Sequence, residues 1–92
     1  MTPGEIWRMA DGTHRVVLSP ATYNASALGR VITAVVGEPP SGFDPFAVST
    51  AAGTVYADRL AMHPRHWLVE RVDAFGAPVM DEVRAHLRFL LG

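Results

Sequence analysis

The chain has 92 residues, 49% of them hydrophobic, and a formal net charge of −1 at pH 7. That size suits one small core and excludes a second domain, while the charge excludes the bulk electrostatic grip of a basic nucleic-acid-binding domain. The absence of cysteine rules out a disulfide framework, and the longest apolar stretch, around Val31 to Val36, is far too short to span a bilayer.

With no signal segment ahead of the first strand, the reading is a cytoplasmic protein with no membrane association, residues 1–92 forming one unit. All eight basic residues are arginine, the side chain best suited to bidentate phosphate binding.

The first element is a hairpin. Glu5 to Ala10 and Thr13 to Leu18 are rich in β-formers, and Asp11-Gly12 between them is a strong turn signal because both residues tolerate positive φ. A two-residue turn pairs Met9 with His14 and Arg8 with Arg15, which sets two guanidinium groups side by side as an anion clamp. Ser19-Pro20 breaks the second strand, and Pro20 to Ala27 forms a helical turn or loop. Arg30 to Val36, the most β-branched apolar run, predicts a buried central strand. Gly37 to Asp44 (GEPPSGFD) is an exposed loop, since Pro39 and Pro40 lack amide donors. Phe46 to Thr50, Thr54 to Arg59 and Trp67 to Val72 read as further short strands, the first two joined at Ala51-Ala52-Gly53. Trp7 and Trp67 are expected to pack inside.

From Val79 the apolar period changes. Val79, Met80, Val83, Leu87, Leu90 and Leu91 recur at three- and four-residue spacing with charges on the other side, which predicts an amphipathic helix with Pro78 in its first turn. Five to six short strands and one terminal helix make an α+β fold, a small SH3-like barrel. The helix and the strand carrying Trp67 to Val72 are the expected dimer surfaces. His63 and His66 flank Pro64 but have no third ligand at a metal-binding spacing, so no metal or other cofactor is expected.

GEIWRMADG, HRVVLSPATYN, RVITAVVGEPP, VYADRLAMHPRHWLVERVD and MDEVRAHLRFLLG resemble, in the same order and over nearly the whole chain, the sequence blocks of MazF/PemK-type toxins. The resemblance implies an SH3-like barrel, a homodimer, a cognate MazE-like antitoxin whose flexible tail lies in the toxin's groove, and metal-independent cleavage of single-stranded RNA. Against the family blocks, Thr13 falls at the catalytic arginine and His14 at the proline that follows it. The long loop that joins the first two strands in typical members is here reduced to Ala10-Asp11-Gly12. The catalytic threonine falls at Val36 or Gly37, neither of which has a hydroxyl, and Thr33 stands three or four residues earlier in the same strand.

Metal-free RNA cleavage needs a base for the 2′-hydroxyl, an acid for the leaving 5′-oxygen and donors for the phosphorane charge. Arg15, His14 and Thr13 are the candidate catalytic residues, and Arg8, Thr33 and Phe43 the candidate RNA contacts. His14 can serve as base or acid, and Phe43, beside the proline-rich loop, offers a ring on which a base can stack. Two other functions suit the same fold. One is a MazF-like barrel that binds RNA or protein without cutting. The other is a gyrase poison similar to CcdB, whose terminal aromatic-Gly-Ile segment has no counterpart in Leu90-Leu91-Gly92.

Overall fold

Alternation along the strands builds a sheet with apolar residues on both faces. The computed structural model describes residues 1–92. Its strands are β1 (Glu5–Met9), β2 (His14–Val17), β3 (Arg30–Gly37), β4 (Ala47–Thr50), β5 (Gly53–Pro64) and β6 (Leu68–Ala74). A short helical turn, α1 (Ala21–Asn24), links β2 to β3, a 3-10 turn (Arg65–Trp67) links β5 to β6, and α2 (Ala77–Leu91) closes the chain. The strands form one antiparallel sheet in the order β4-β5-β3-β2-β1-β6. No helix is long and apolar enough to cross a membrane.

On one face Ile6, Val16 and Ala34 line up across β1, β2 and β3 and join Val36, Val48, Val55 and Ala57. α2 covers this face through Met80 and Val83, residues that its amphipathic spacing brings to one side, and Pro78 occupies its first turn. Each fully buried aliphatic side chain contributes about 1.5–3 kcal/mol. On the other face Met9, Val17, Val31 and Leu68 form a second, smaller core, with Met1 and Trp7 against it.

The SPATYN segment fastens the connection between β2 and β3. The buried Asn24 amide donates to the carbonyls of Met1 and Ser19, and the Ser19 hydroxyl donates to the Asn24 side-chain oxygen while accepting from the Ile32 amide. Arg65 donates to the Asn24 carbonyl at 2.6 Å, tying the far end of β5 to the same point.

Three expectations are corrected. The hairpin turn holds Ala10, Asp11 and Gly12 rather than two residues. The Met9 amide donates to Thr13, the Gly12 amide donates back to Met9, and Gly12 has φ +88°, as in a type I turn with a glycine bulge. The strand expected to end at Arg59 runs on to Pro64. Neighbouring Ala34 and Val35 pair with Leu60 and Tyr56, so Ala57, Asp58 and Arg59 are accommodated in a bulge instead of ending the strand. Trp67 belongs to the 3-10 turn and is 49% exposed; β6 begins only at the buried Leu68.

Candidate active site

The extra turn residue changes what the hairpin presents. Arg8 pairs with His14, and Trp7 pairs with Arg15, so Arg8 and Arg15 lie on opposite faces of the ladder and the expected clamp does not form. Arg8 instead makes an exposed ion pair with Glu70 of β6 at 3.8 Å. His14, exposed at the start of β2, stands between Arg8 and Val36, away from Trp7 and Met9. Thr13 is held by Asp11, whose carboxylate accepts from the Thr13 hydroxyl at 2.6 Å and from its amide at 3.0 Å. These two bonds keep the Asp11 carboxyl below its ordinary value.

Arg15 has other company. Across the sheet it stands in a row with Trp7, Val35 and Tyr56, and its guanidinium reaches diagonally to donate to the Thr33 hydroxyl at 3.3 Å. Thr33 is fully buried, and its hydroxyl anchors that guanidinium. Next along this face, β5 places His63 opposite Val31, two positions beyond Ala61, the partner of Thr33. Burial first, and the Arg15 charge second, hold the His63 imidazole below its ordinary value of 6.5, against an opposing pull from Asp11. Both influences favour the neutral ring. The ring of Trp67 lies against it at 5.9 Å, and the Trp67 carbonyl accepts from the Ala10 amide, which brings the hairpin turn beside the 3-10 turn.

The same row leads into an open groove of about 610 Å³ between Val35, Tyr56 and Arg59 and the Gly37–Asp44 loop. The Tyr56 hydroxyl donates to the Glu38 carbonyl and so fixes the base of the loop to β5. Arg59 lies over the Tyr56 ring, 4.1 Å from its centre, a cation–π contact that leaves its charge at the groove. Phe43, on the loop, is 95% exposed. Arg59, Tyr56 and Phe43 offer one cation and two flat rings along the cleft, which Glu38 and Asp44 also line, and rings so placed can stack on the bases of a single strand. Among His, Asp and Glu side chains, no group of three or more is placed to hold a metal ion.

Of the residues expected in the site, the structure joins Arg15 to Thr33, keeps Thr13 at the adjoining turn, leaves Phe43 at the far end of the groove, and separates Arg8 and His14 onto the opposite face. Arg59 and His63 were missed as site members. Simple alternation from Tyr56 would have put His63 on the opposite face; the bulge between Tyr56 and Leu60 reverses the phase and brings it to the face of Thr33.

No protein-family model matches the sequence, and no curated protein sequence matches it. Solved structures do. MazF of Deinococcus radiodurans (form I) is 27% identical, with 99% of this chain and 94% of that one aligned at a TM-score of 0.81. In the MazE-MazF structure of the same organism (form II) identity reaches 30% over 99% of this chain and 93% of that one, at a TM-score of 0.83. The chain belongs to the MazF-type toxin family. An endoribonuclease from a mycobacterial species, 15% identical, shares the fold over 100% of this chain and 91% of its own, at a TM-score of 0.85. Within this MazF-type chain, the Arg15–Thr33 pair and the groove beside it are the features to which RNA chemistry can be assigned.

Proposed function

We propose that this MazF-type chain is the toxin of a toxin–antitoxin pair: an endoribonuclease that cuts single-stranded RNA without a metal ion, acts as a homodimer, and is held in check by a MazE-like antitoxin. The observation that carries the reading is the Arg15 guanidinium, anchored by Thr33 at 3.3 Å on the face that leads into an open groove, on a fold aligned end to end with MazE-MazF structures.

In the reaction the ribose 2′-oxygen attacks the adjacent phosphorus, the bond to the 5′-oxygen breaks, and the products are a 2′,3′-cyclic phosphate and a 5′-hydroxyl. Arg15 balances the charge of the phosphorane, a role in which one preorganised donor is worth roughly 10²–10³ in rate. Thr33 fixes the guanidinium. Thr13 stands at the turn beside the strand's path, Phe43 and Arg59 hold bases in the groove, and Arg8 and His14 make peripheral contacts on the other face.

The experiment is cleavage of single-stranded RNA by the purified protein in EDTA. Wild type should cut, Arg15→Ala should lose at least about a hundredfold in rate, and an antitoxin encoded by the neighbouring reading frame should suppress cutting. A protein that arrests growth and binds RNA without cutting it would instead be the binding-only barrel, the reading favoured by Val36 or Gly37, neither with a hydroxyl, at the position of the family's threonine.

A further inference from the structure

One nitrogen in this site has no partner. His63 Nε2 is buried and accepts or donates no hydrogen bond, an uncommon condition for a buried polar atom and one that invites a functional explanation. The imidazole shares its sheet face with Thr33 through the β3–β5 register, and Thr33 holds the guanidinium assigned to the phosphate. Trp67 lies against the imidazole, its ring tilted by 37° and itself half exposed.

We propose that His63 is the general base of the cleavage reaction: Nε2 receives the proton of the ribose 2′-hydroxyl once Trp67 turns outward to stack on a base of the bound strand. This rests on the endoribonuclease reading. The 2′-oxygen then forms its bond to phosphorus, the 5′-oxygen leaves with a proton taken from water, and His63 returns its own proton to solvent after product release, so no oxidant, metal or co-substrate enters. An indole is a suitable platform for a nucleobase, and the movement both clamps the strand and frees the nitrogen.

The electrostatic surroundings fit a base rather than an acid. Arg15 from β2 and burial both disfavour the protonated ring, and Asp11 from the hairpin turn opposes them without prevailing. Arg65 on the adjoining 3-10 turn is directed at the Asn24 carbonyl, Arg30 on β3 lies against the sulfur of Met62, and His66 is exposed. An imidazole whose surroundings favour the neutral ring is ready to accept a proton.

The test uses the full chain, in EDTA, on a fluorogenic single-stranded RNA. His63→Ala should lower kcat by about 10²–10⁴-fold while affinity for a 2′-deoxy analogue of the cut site stays near that of wild type. Added imidazole should restore part of the rate, and the decline of wild-type activity on the acid side, below pH 6.5, should vanish from the residual activity. Trp67→Ala should weaken RNA binding and leave most of kcat. If His63→Ala does not fold, His63→Gln carries the same comparison. Cleavage at the wild-type rate in either variant, or a loss with neither imidazole rescue nor a change in pH profile, overturns the assignment of the base alone. Failure of the wild type to cut any RNA overturns the endoribonuclease reading and this proposal with it.

Discussion

The Arg15 guanidinium donates to the Thr33 hydroxyl from one central strand to the next, at 3.3 Å. Thr33 is fully buried, so this single contact determines where the charge of Arg15 points. Thr33→Val keeps the shape of the side chain and removes the acceptor. The expected outcome is a modest shift in the chemical denaturation midpoint, with RNA cleavage reduced about tenfold or more, since a small misplacement of a catalytic group costs up to about a hundredfold in rate. Urea titration and initial rates on the same preparations check it.

Arg8 should behave differently. Its ion pair with Glu70 spans 3.8 Å between partly exposed side chains, and such pairs contribute about 0–1 kcal/mol before salt screening. Arg8→Ala should therefore leave both stability and cleavage within about twofold of wild type, whereas Arg15→Ala abolishes cutting. A comparable loss in both variants would mean that the two faces of the hairpin act together on RNA.

Glu5 makes stability depend on acid. Burial by itself would raise its carboxyl, but hydrogen bonds from the Trp7 indole and the Thr2 amide, with help from the N-terminal ammonium, outweigh burial and hold it below its ordinary value of 4.5. Arg71 adds an ion pair at 3.6 Å. A group whose folded value is depressed stabilises above the unfolded value and loses that contribution as pH falls through the folded one. The urea midpoint of wild type should thus decline as pH drops below about 4.5, and Glu5→Gln should start lower at pH 7 and show a shallower decline. Equal slopes for the two proteins would remove Glu5 as a source of the acid sensitivity.

Two glycines with positive φ separate conformational cost from crowding. Gly12, at +88°, has open space where a side chain would begin, whereas Gly53, at +129°, would place a Cβ 2.9 Å from the Val36 Cγ1. Gly12→Ala should cost about 1–2 kcal/mol from the left-handed backbone alone. Gly53→Ala should cost more, because Val36 is in the core and must move as well. Thermal or urea unfolding of the pair gives the order directly.

How far the sequence could be read follows from which signals are local. β3 and α2 were legible because one β-branched run and one 3.6-residue period each lie within a short window. The hairpin was legible too, but its register was not: Gly12 suits either a two-residue turn or the third position of a longer one, and the choice moves Arg8 across the sheet. The bulge at Ala57–Arg59 reverses the alternation between Tyr56 and Leu60, so Leu60 to Pro64 were lost from the strand and His63 from the site. The meeting of Arg15 with Thr33 came from the register of β2 on β3, which depends on packing of the whole sheet.

The rims of that sheet have a consequence for how the protein survives in a crowded solution. β4 offers only Ala47–Thr50, and β6 shifts register twice against β1, between its partners for Ile6 and Trp7 and again between those for Arg8 and Met9. Short or irregular outer strands give a foreign strand no continuous ladder to extend. Val69 and Val72, half exposed on β6, are thereby kept out of an unbroken sticky edge. Copies of the chain that meet in solution therefore find no long straight rim on which to stack into fibrils.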